Sequence, residues 1–247
     1  MQYEIFELKK EFNRIKDMGW VKSIRRGKDA IGRTFELLLG CEENGLEIPD
    51  YNGIEIKTKR SDSSAYIGLF NMTPSGKYYH EIERLRTTYG YNDTKTKKYK
   101  VLNNSVYCSK RTFIGIYHQF MLKVDRVQKK IFLCVFDVSG MLIEKDVYWD
   151  FDIIEEKLYR KLKYLAFVKA HRKFVNNVEY FKYYDIKLYV LKDFNTFIRL
   201  IEEGFIKITF KIGVFKSGKR IGQIHDHGTS FDIREIDLPK LFDEYCF

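Results

Sequence analysis

Three side chains within one short stretch have the types and spacing to hydrolyse a phosphodiester. Pro49-Asp50-Tyr51-Asn52-Gly53-Ile54-Glu55-Ile56-Lys57 presents an aspartate, a glutamate five residues on and a lysine two further. Two carboxylates and a backbone carbonyl, here that of Ile56, supply the hard oxygens a divalent ion needs, and such an ion stabilises charge building on phosphorane oxygens. An ammonium beside them can hold the attacking water and favour its deprotonation. Tyr51 to Thr58 alternates apolar and polar, so on a strand Glu55 and Lys57 project together while Ile54 and Ile56 enter the core. Asp50 precedes that strand, and Gly53 permits the bend that swings its carboxylate toward Glu55. The same segment also reads as an edge strand carrying ordinary surface charges.

The bare spacing recurs at Asp150, Glu155 and Lys157. There the apolar pattern is helical, which rotates Glu155 and Lys157 by roughly 200° to opposite sides. That copy reads as a capped helix start with a solvated face.

Helices and strands must position these groups. Apolar residues at Ile5, Leu8, Phe12 and Ile15 predict an amphipathic helix over Glu4 to Met18. Ile31, Phe35, Leu38 and Leu39 predict another over Ile31 to Leu39, with Glu36 inside it. Ala65 to Phe70 is a second extended run that can pair with Tyr51 to Thr58 across the polar turn Lys59 to Ser64. A short helix follows at Tyr78 to Thr88. Strands are expected at Ser105 to Cys108, Phe113 to Val124, Ile131 to Asp137 and Met141 to Val147, then a helix at Asp152 to Lys163. Tyr164 to Lys169 and Val178 to Leu191 are extended, Asn195 to Glu203 is helical, Phe205 to Phe215 is a strand, and Glu235 to Glu244 is a closing helix. The fold class is mixed α/β with mainly antiparallel sheet.

With 247 residues, 45% of them hydrophobic, the chain can bury a core of its own and is neither disordered nor fibrous. No apolar run approaches the roughly 20 residues of a bilayer span, and Met1 to Lys16 is not signal-like, so the expectation is a cytoplasmic protein with no membrane association. Cys41, Cys108, Cys134 and Cys246 form no C-x-x-C pair and read as buried thiols. The formal charge of +10 is clustered: around Lys22, Arg25, Arg26, Lys28 and Arg33; from Lys95 to Lys130; and from Phe205 to Gln223, which holds Lys207, Lys211, Lys216, Lys219 and Arg220 with no acid. Such clusters suit a polyanion, through counterion release, and equally suit a solvated basic surface.

From Gly19-Trp20 through Arg33-Thr34-Phe35-Glu36, Asp50 and Glu55-Ile56-Lys57-Thr58, the sequence resembles the MvaI/BcnI group of type II restriction endonucleases, relatives of the mismatch-repair nickase MutH. The likeness continues at Leu69-Phe70, Ser75, Tyr89-Gly90, Tyr148-Trp149, Lys161-Leu162-Lys163-Tyr164, Ile212-Gly213, Ser217-Gly218-Lys219 and His225-Asp226-His227-Gly228-Thr229. It implies a PD-(D/E)XK core with a second DNA-recognition lobe, set here at about residues 1–165 and 166–247. It also implies Mg²⁺ dependence and a monomer, with no obligate protein partner, that cuts the strands of double-stranded DNA in successive events. By the same resemblance Asp50, Glu55 and the Ile56 carbonyl are metal ligands, Lys57 orients water, and Glu36 is an accessory acid.

His225 and His227 share a face if extended, after the basic, glycine-rich turn Lys216 to Gly222. A ribbon of this kind can enter the major groove, where His, Lys and Arg donate to guanine and Asp accepts from cytosine N4. The expected DNA-binding set is Lys211, Lys216, Lys219, Arg220, His225, Asp226, His227, Thr229, Asp232 and Arg234. A metal site at His225-Asp226-His227 has no third ligand nearby. The family tends to carry arginines where this chain has Lys211 and Asp232, so its target can differ from the family's. Two other readings stand beside restriction: a MutH-like nicking enzyme of repair, and a non-catalytic DNA-binding module.

Overall fold

The computed structural model describes residues 1–41 and 48–245. Cys246 lies outside them; Cys134 is buried, and Cys41 and Cys108 are half-buried free thiols. Contacts divide the chain into two compact units, one of residues 1–65, 157–192 and 242–247, the other of residues 66–156 and 193–241. Each unit is drawn from several stretches of the chain, in place of the two continuous lobes expected at about residues 1–165 and 166–247. The boundary between those lobes falls inside the strand Tyr164–Val175, the central pairing partner of the first unit.

In the first unit, the helix Gln2–Asp17 buries Ile5, Leu8, Phe12 and Ile15, the predicted stripe. The helix Ala30–Leu38 buries Ala30, Ile31, Thr34 and Phe35. Both stripes pack on one apolar cluster with Ile54, Ile56, Ala166, Val168, Phe181 and Tyr183. Complete burial of a side chain like Phe35 contributes about 2 kcal/mol. The Tyr183 hydroxyl is sealed in this core, donates to the carbonyl of Ile31 at 2.7 Å, and has its pKa raised, chiefly by burial. The sheet beneath runs Val21–Lys22, Val178–Leu191, Tyr164–Val175, Glu55–Arg60, with Phe242–Tyr245 also paired to Val178–Leu191.

Two expectations need correction here. Glu55–Arg60 does not pair with Ile67–Asn71. It lies parallel to Tyr164–Val175, with Glu55 opposite Leu165 and Lys57 opposite Phe167. Ile67–Asn71 belongs to the second unit and pairs with Ile224–Ile233, Phe70 opposite Phe231. The polar stretch between them is a passage from one unit to the other, not a hairpin turn. The closing helix is also shorter than expected: a 3₁₀ turn at Glu235–Asp237 and the helix Leu238–Leu241 give way to the strand Phe242–Tyr245. Satisfying the edge of Val178–Leu191 outweighs weak helical spacing.

The second unit holds two sheets. One runs Ile67–Asn71, Ile224–Ile233, Ile206–Val214, Lys100–Val106, Tyr91–Asn92. The other is an antiparallel meander of Thr112–Ile114, His118–Asp125, Lys130–Asp137 and Leu142–Asp150. In the central strand Ile206, Ile208, Phe210, Ile212 and Val214 are buried, and this period of two turns Thr209 and Lys211 to the opposite face. Phe210 and Phe231 pack against Trp149, whose indole donates to the carbonyl of Met72 at 3.0 Å. The helix Phe194–Glu202 is capped by Asp193, which accepts from the Thr196 N–H at 2.7 Å.

Candidate functional site

Asp50 and Glu55 are brought together by a two-residue turn. The N–H of Tyr51 donates to the Ile54 carbonyl and the N–H of Ile54 to the Tyr51 carbonyl, at 3.0 and 2.8 Å. Asn52 and Gly53 occupy the positive-φ positions such a turn requires, at 44° and 85°. The chain therefore folds back, and Asp50 Oδ2 accepts the backbone N–H of Ile56 at 2.9 Å. The loop thus places one carboxylate against the strand that carries the other.

Glu55 lies on the sheet's edge strand and yet is 1% exposed, so the reading of an ordinary surface charge does not hold. Its Oε1 accepts from Lys57 Nζ at 2.5 Å, and Lys161 Nζ stands 3.6 Å away. Its Oε2 is buried with no hydrogen-bond partner among the described residues. Burial is the largest influence on this carboxyl and raises its pKa; Lys57 and Lys161 oppose that rise and the Asp50 charge adds to it. A buried carboxylate oxygen without a donor, next to a second carboxylate, is the electrostatic setting that a cation relieves. Among the described residues no three His, Cys, Asp or Glu side chains converge as a ligand set. The donors present are two carboxylates and the Ile56 carbonyl, hard oxygens that fit a Mg²⁺-like ion retaining some of its water.

Glu36 belongs to the same neighbourhood. Its helix crosses the strand closely at Gly32, where a Cβ would meet Thr58 Oγ1 at 3.2 Å and Glu36 Oε1 at 3.7 Å. Arg33 Nη1 donates to Glu36 Oε2 at 2.8 Å. Both Glu36 and Asp50 act on the Cys41 thiol, whose pKa is pushed up to about 11, first by burial and then by those two charges. Lys161 is the residue that sequence reasoning missed: it sat inside a matched stretch but had no visible partner, because its contact with Glu55 spans two distant elements.

In the second copy of the spacing Glu155 and Lys157 are helical as read, within Phe151–Leu162, and Asp150 ends the strand Leu142–Asp150.

The candidate reading residues lie on the hairpin of Ile206–Val214 and Ile224–Ile233. His225 and His227 do share a face, with ring centroids 4.0 Å apart, and Phe215 stacks on His225 at 4.2 Å. Arg220 covers the Phe215 ring at 3.9 Å, and Lys219 is exposed. Lys211 Nζ stands 3.9 Å from Asp232 Oδ1, and Ser230 donates to the same oxygen. Four expected readers are otherwise engaged. Thr229 is fully buried; Lys216 donates to Asp93 at 2.7 Å; Arg234 donates to Asp237 at 2.7 Å; Asp226 accepts the Gly228 N–H at 2.7 Å. Lys207, from the same basic cluster but outside the expected reading set, is paired in register with Asp232, donates to Ser105 at 2.7 Å and sits 3.7 Å over the Tyr66 ring. Its pKa is lowered, first by burial.

An acid and a lysine two apart on an edge strand, backed by helices and joined by a second acid from the preceding turn, define a restriction-endonuclease-like core. The sequence matches the MvaI/BcnI restriction endonuclease family over residues 9–242, and the chain belongs to that family. It is therefore a site-specific deoxyribonuclease by membership. Among solved structures, the restriction endonuclease MvaI in complex with its cognate DNA substrate is similar with TM-score 0.91 and 33% identity, covering 99% of this chain and 98% of that one. MvaI in the absence of DNA gives TM-score 0.63 at the same identity and coverage. No curated protein matches.

Proposed function

We propose that this chain is a Mg²⁺-dependent type II restriction endonuclease of the cytoplasm, acting as a monomer. It hydrolyses double-stranded DNA at a short specific sequence, one strand after the other, leaving 5′-phosphate and 3′-hydroxyl ends. The observation that carries the reading is the partnerless, buried Oε2 of Glu55 beside Asp50 and Lys57. Asp50, Glu55 and the Ile56 carbonyl are the ion's ligands, and when bound it supplies charge stabilisation at the scissile phosphate. Lys57 holds the attacking water and favours loss of its proton. Lys161 opposes the effect of burial on Glu55 and helps orient its carboxylate. Glu36, fixed by Arg33, is an accessory acid at the edge of the same site.

Support for duplex DNA as substrate comes from the likeness to MvaI bound to its cognate DNA. The hairpin carrying Lys211, Asp232, His225, His227, Lys219 and Arg220 is the sequence reader in this proposal. Digesting supercoiled plasmid with Mg²⁺ and sequencing the ends tests it. Linear product with uniform ends is expected. Open circles that persist favour a MutH-like nicking enzyme, and uncut plasmid that is nonetheless bound favours a binding module.

A further inference from the structure

The basic loop before the helix Ala30–Leu38 has no part in the site above, yet it is built into a wall. Val21–Lys22 pairs with the strand Val178–Leu191, Lys22 opposite Tyr180, and the Ser23 N–H donates to the Glu179 carbonyl at 2.8 Å. Facing the loop are the ends of Glu55–Arg60 and Tyr164–Val175. Together they enclose an open cavity of about 730 Å³. Six cations line it: Lys22, Arg25, Arg26, Lys28, Arg60 and Arg172. Among the described residues Glu179 is the one acid in that lining, and it lies 3.9 Å from Arg172.

The cations divide into two sets. Arg25 is paired with Asp29, Arg172 donates to Asp62 at 2.8 Å, and Arg60 stands 3.7 Å from Asp62. These pairs brace the walls. Lys22, Arg26 and Lys28 are exposed and have no acidic partner among the described residues. Three unneutralised cations converging on a concave, anchored surface repel one another unless an anion joins them.

Arg60 is five residues beyond Glu55 on one strand. At about 3.3 Å per residue, the cavity stands roughly 16 Å from the catalytic carboxylate. Each DNA strand carries one phosphate per about 3.4 Å of helix axis, so measured along that axis the separation corresponds to about five of them.

We propose that this cavity binds the backbone phosphates of duplex flanking the cleavage sequence, which adds affinity without adding sequence information. The inference rests on the duplex-DNA reading above. Its test compares binding of two duplexes in EDTA by fluorescence anisotropy, one trimmed to the mapped target and one extended about 15 base pairs on each side, three times the estimated reach. The parent should bind the long duplex more tightly. The triple variant Lys22→Ala, Arg26→Ala, Lys28→Ala should match the parent on the trimmed duplex and bind the long one about 10-fold more weakly. Its slope of log affinity against log salt should fall by about 2 to 3. A parent indifferent to the flanks, a variant equally weakened on both duplexes, or a variant unchanged on both overturns the proposal. So does inorganic phosphate that raises the parent's Tm but not the variant's while the flanks have no effect, since the cavity would then serve a free anion. A parent that binds neither duplex overturns the DNA reading itself.

Discussion

The ammonium of Lys161 stands 3.6 Å from Oε1 of Glu55, an oxygen that already accepts from Lys57. The contact exists because Phe151–Leu162 ends just before the strand that pairs parallel to Glu55–Arg60. Losing either lysine should therefore have different consequences. Lys161→Met should lower cleavage about 10- to 100-fold, as loss of a ligand-orienting partner does, with partial rescue by Lys161→Arg. Lys57→Ala should cost at least about 100- to 1,000-fold in kcat and spare DNA binding in an anisotropy titration. Full activity in Lys57→Ala would remove it from the chemistry.

Glu55→Gln should abolish cleavage and yet stabilise the metal-free protein. Its raised carboxyl pKa means that burial costs more than the lysines return, and a neutral amide escapes that cost. A Tm increase of about 2–4 °C is what 1 kcal/mol gives in a chain of this size. Adding Mg²⁺ should raise Tm in the parent and not in the variant. A variant less stable than the parent without metal would contradict this account.

Acid should weaken the second unit through Glu144. This carboxylate accepts from Arg84 and from the Tyr89 hydroxyl, the latter at 2.5 Å. Burial acts to raise its pKa, but the bonds from Arg84 and Tyr89 prevail and hold it below the usual 4.5. The unfolded chain therefore takes up a proton before the folded one. The contribution is complete above about pH 4.5 and is lost as pH falls through the folded value. Glu144→Gln should be about 2 kcal/mol less stable at neutral pH, less than a fully buried pair costs because solvent screens it, and flatter in stability from pH 5 to 3. Urea melts across that range would show whether the two profiles converge in acid.

Asp232→Ala should relax or abolish site choice and leave metal binding alone. Asp232 is 6% exposed, stands opposite Lys207, and is approached by Lys211 and Ser230, so its removal also frees Lys211, while Lys207 keeps its bond to Ser105. Sequencing of cut ends would detect the change, and an unaltered pattern would take Asp232 out of the reader.

Local signals carried much of this structure. Glu55, Lys57 and the Asn52-Gly53 turn lie within one stretch, so the alternation of Ile54 and Ile56 and the chemistry of the trio could be read together. The first helix and Ala30–Leu38 follow from apolar spacing alone. The second copy at Asp150 was separable for the same reason, since its spacing is helical. Partners distant in sequence were not legible. Nothing in Glu55–Arg60 names Tyr164–Val175 as its neighbour or makes the pairing parallel, because register is set by packing on both faces rather than by local pattern. Lys161 was hidden for that reason, as was the burial of Thr229. Phe242–Tyr245 is a strand only because an edge awaits it.

The chain passes between its two units at residues 65/66, 156/157, 192/193 and 241/242. Neither unit is a continuous gene segment. Exchanging the second unit with that of a relative would require two simultaneous replacements, 66–156 and 193–241, each stitched at both ends into an unchanged first unit. A single crossover would divide one unit or the other, whereas the hairpin of Ile206–Val214 and Ile224–Ile233 lies inside one segment, so point changes on it leave both units whole.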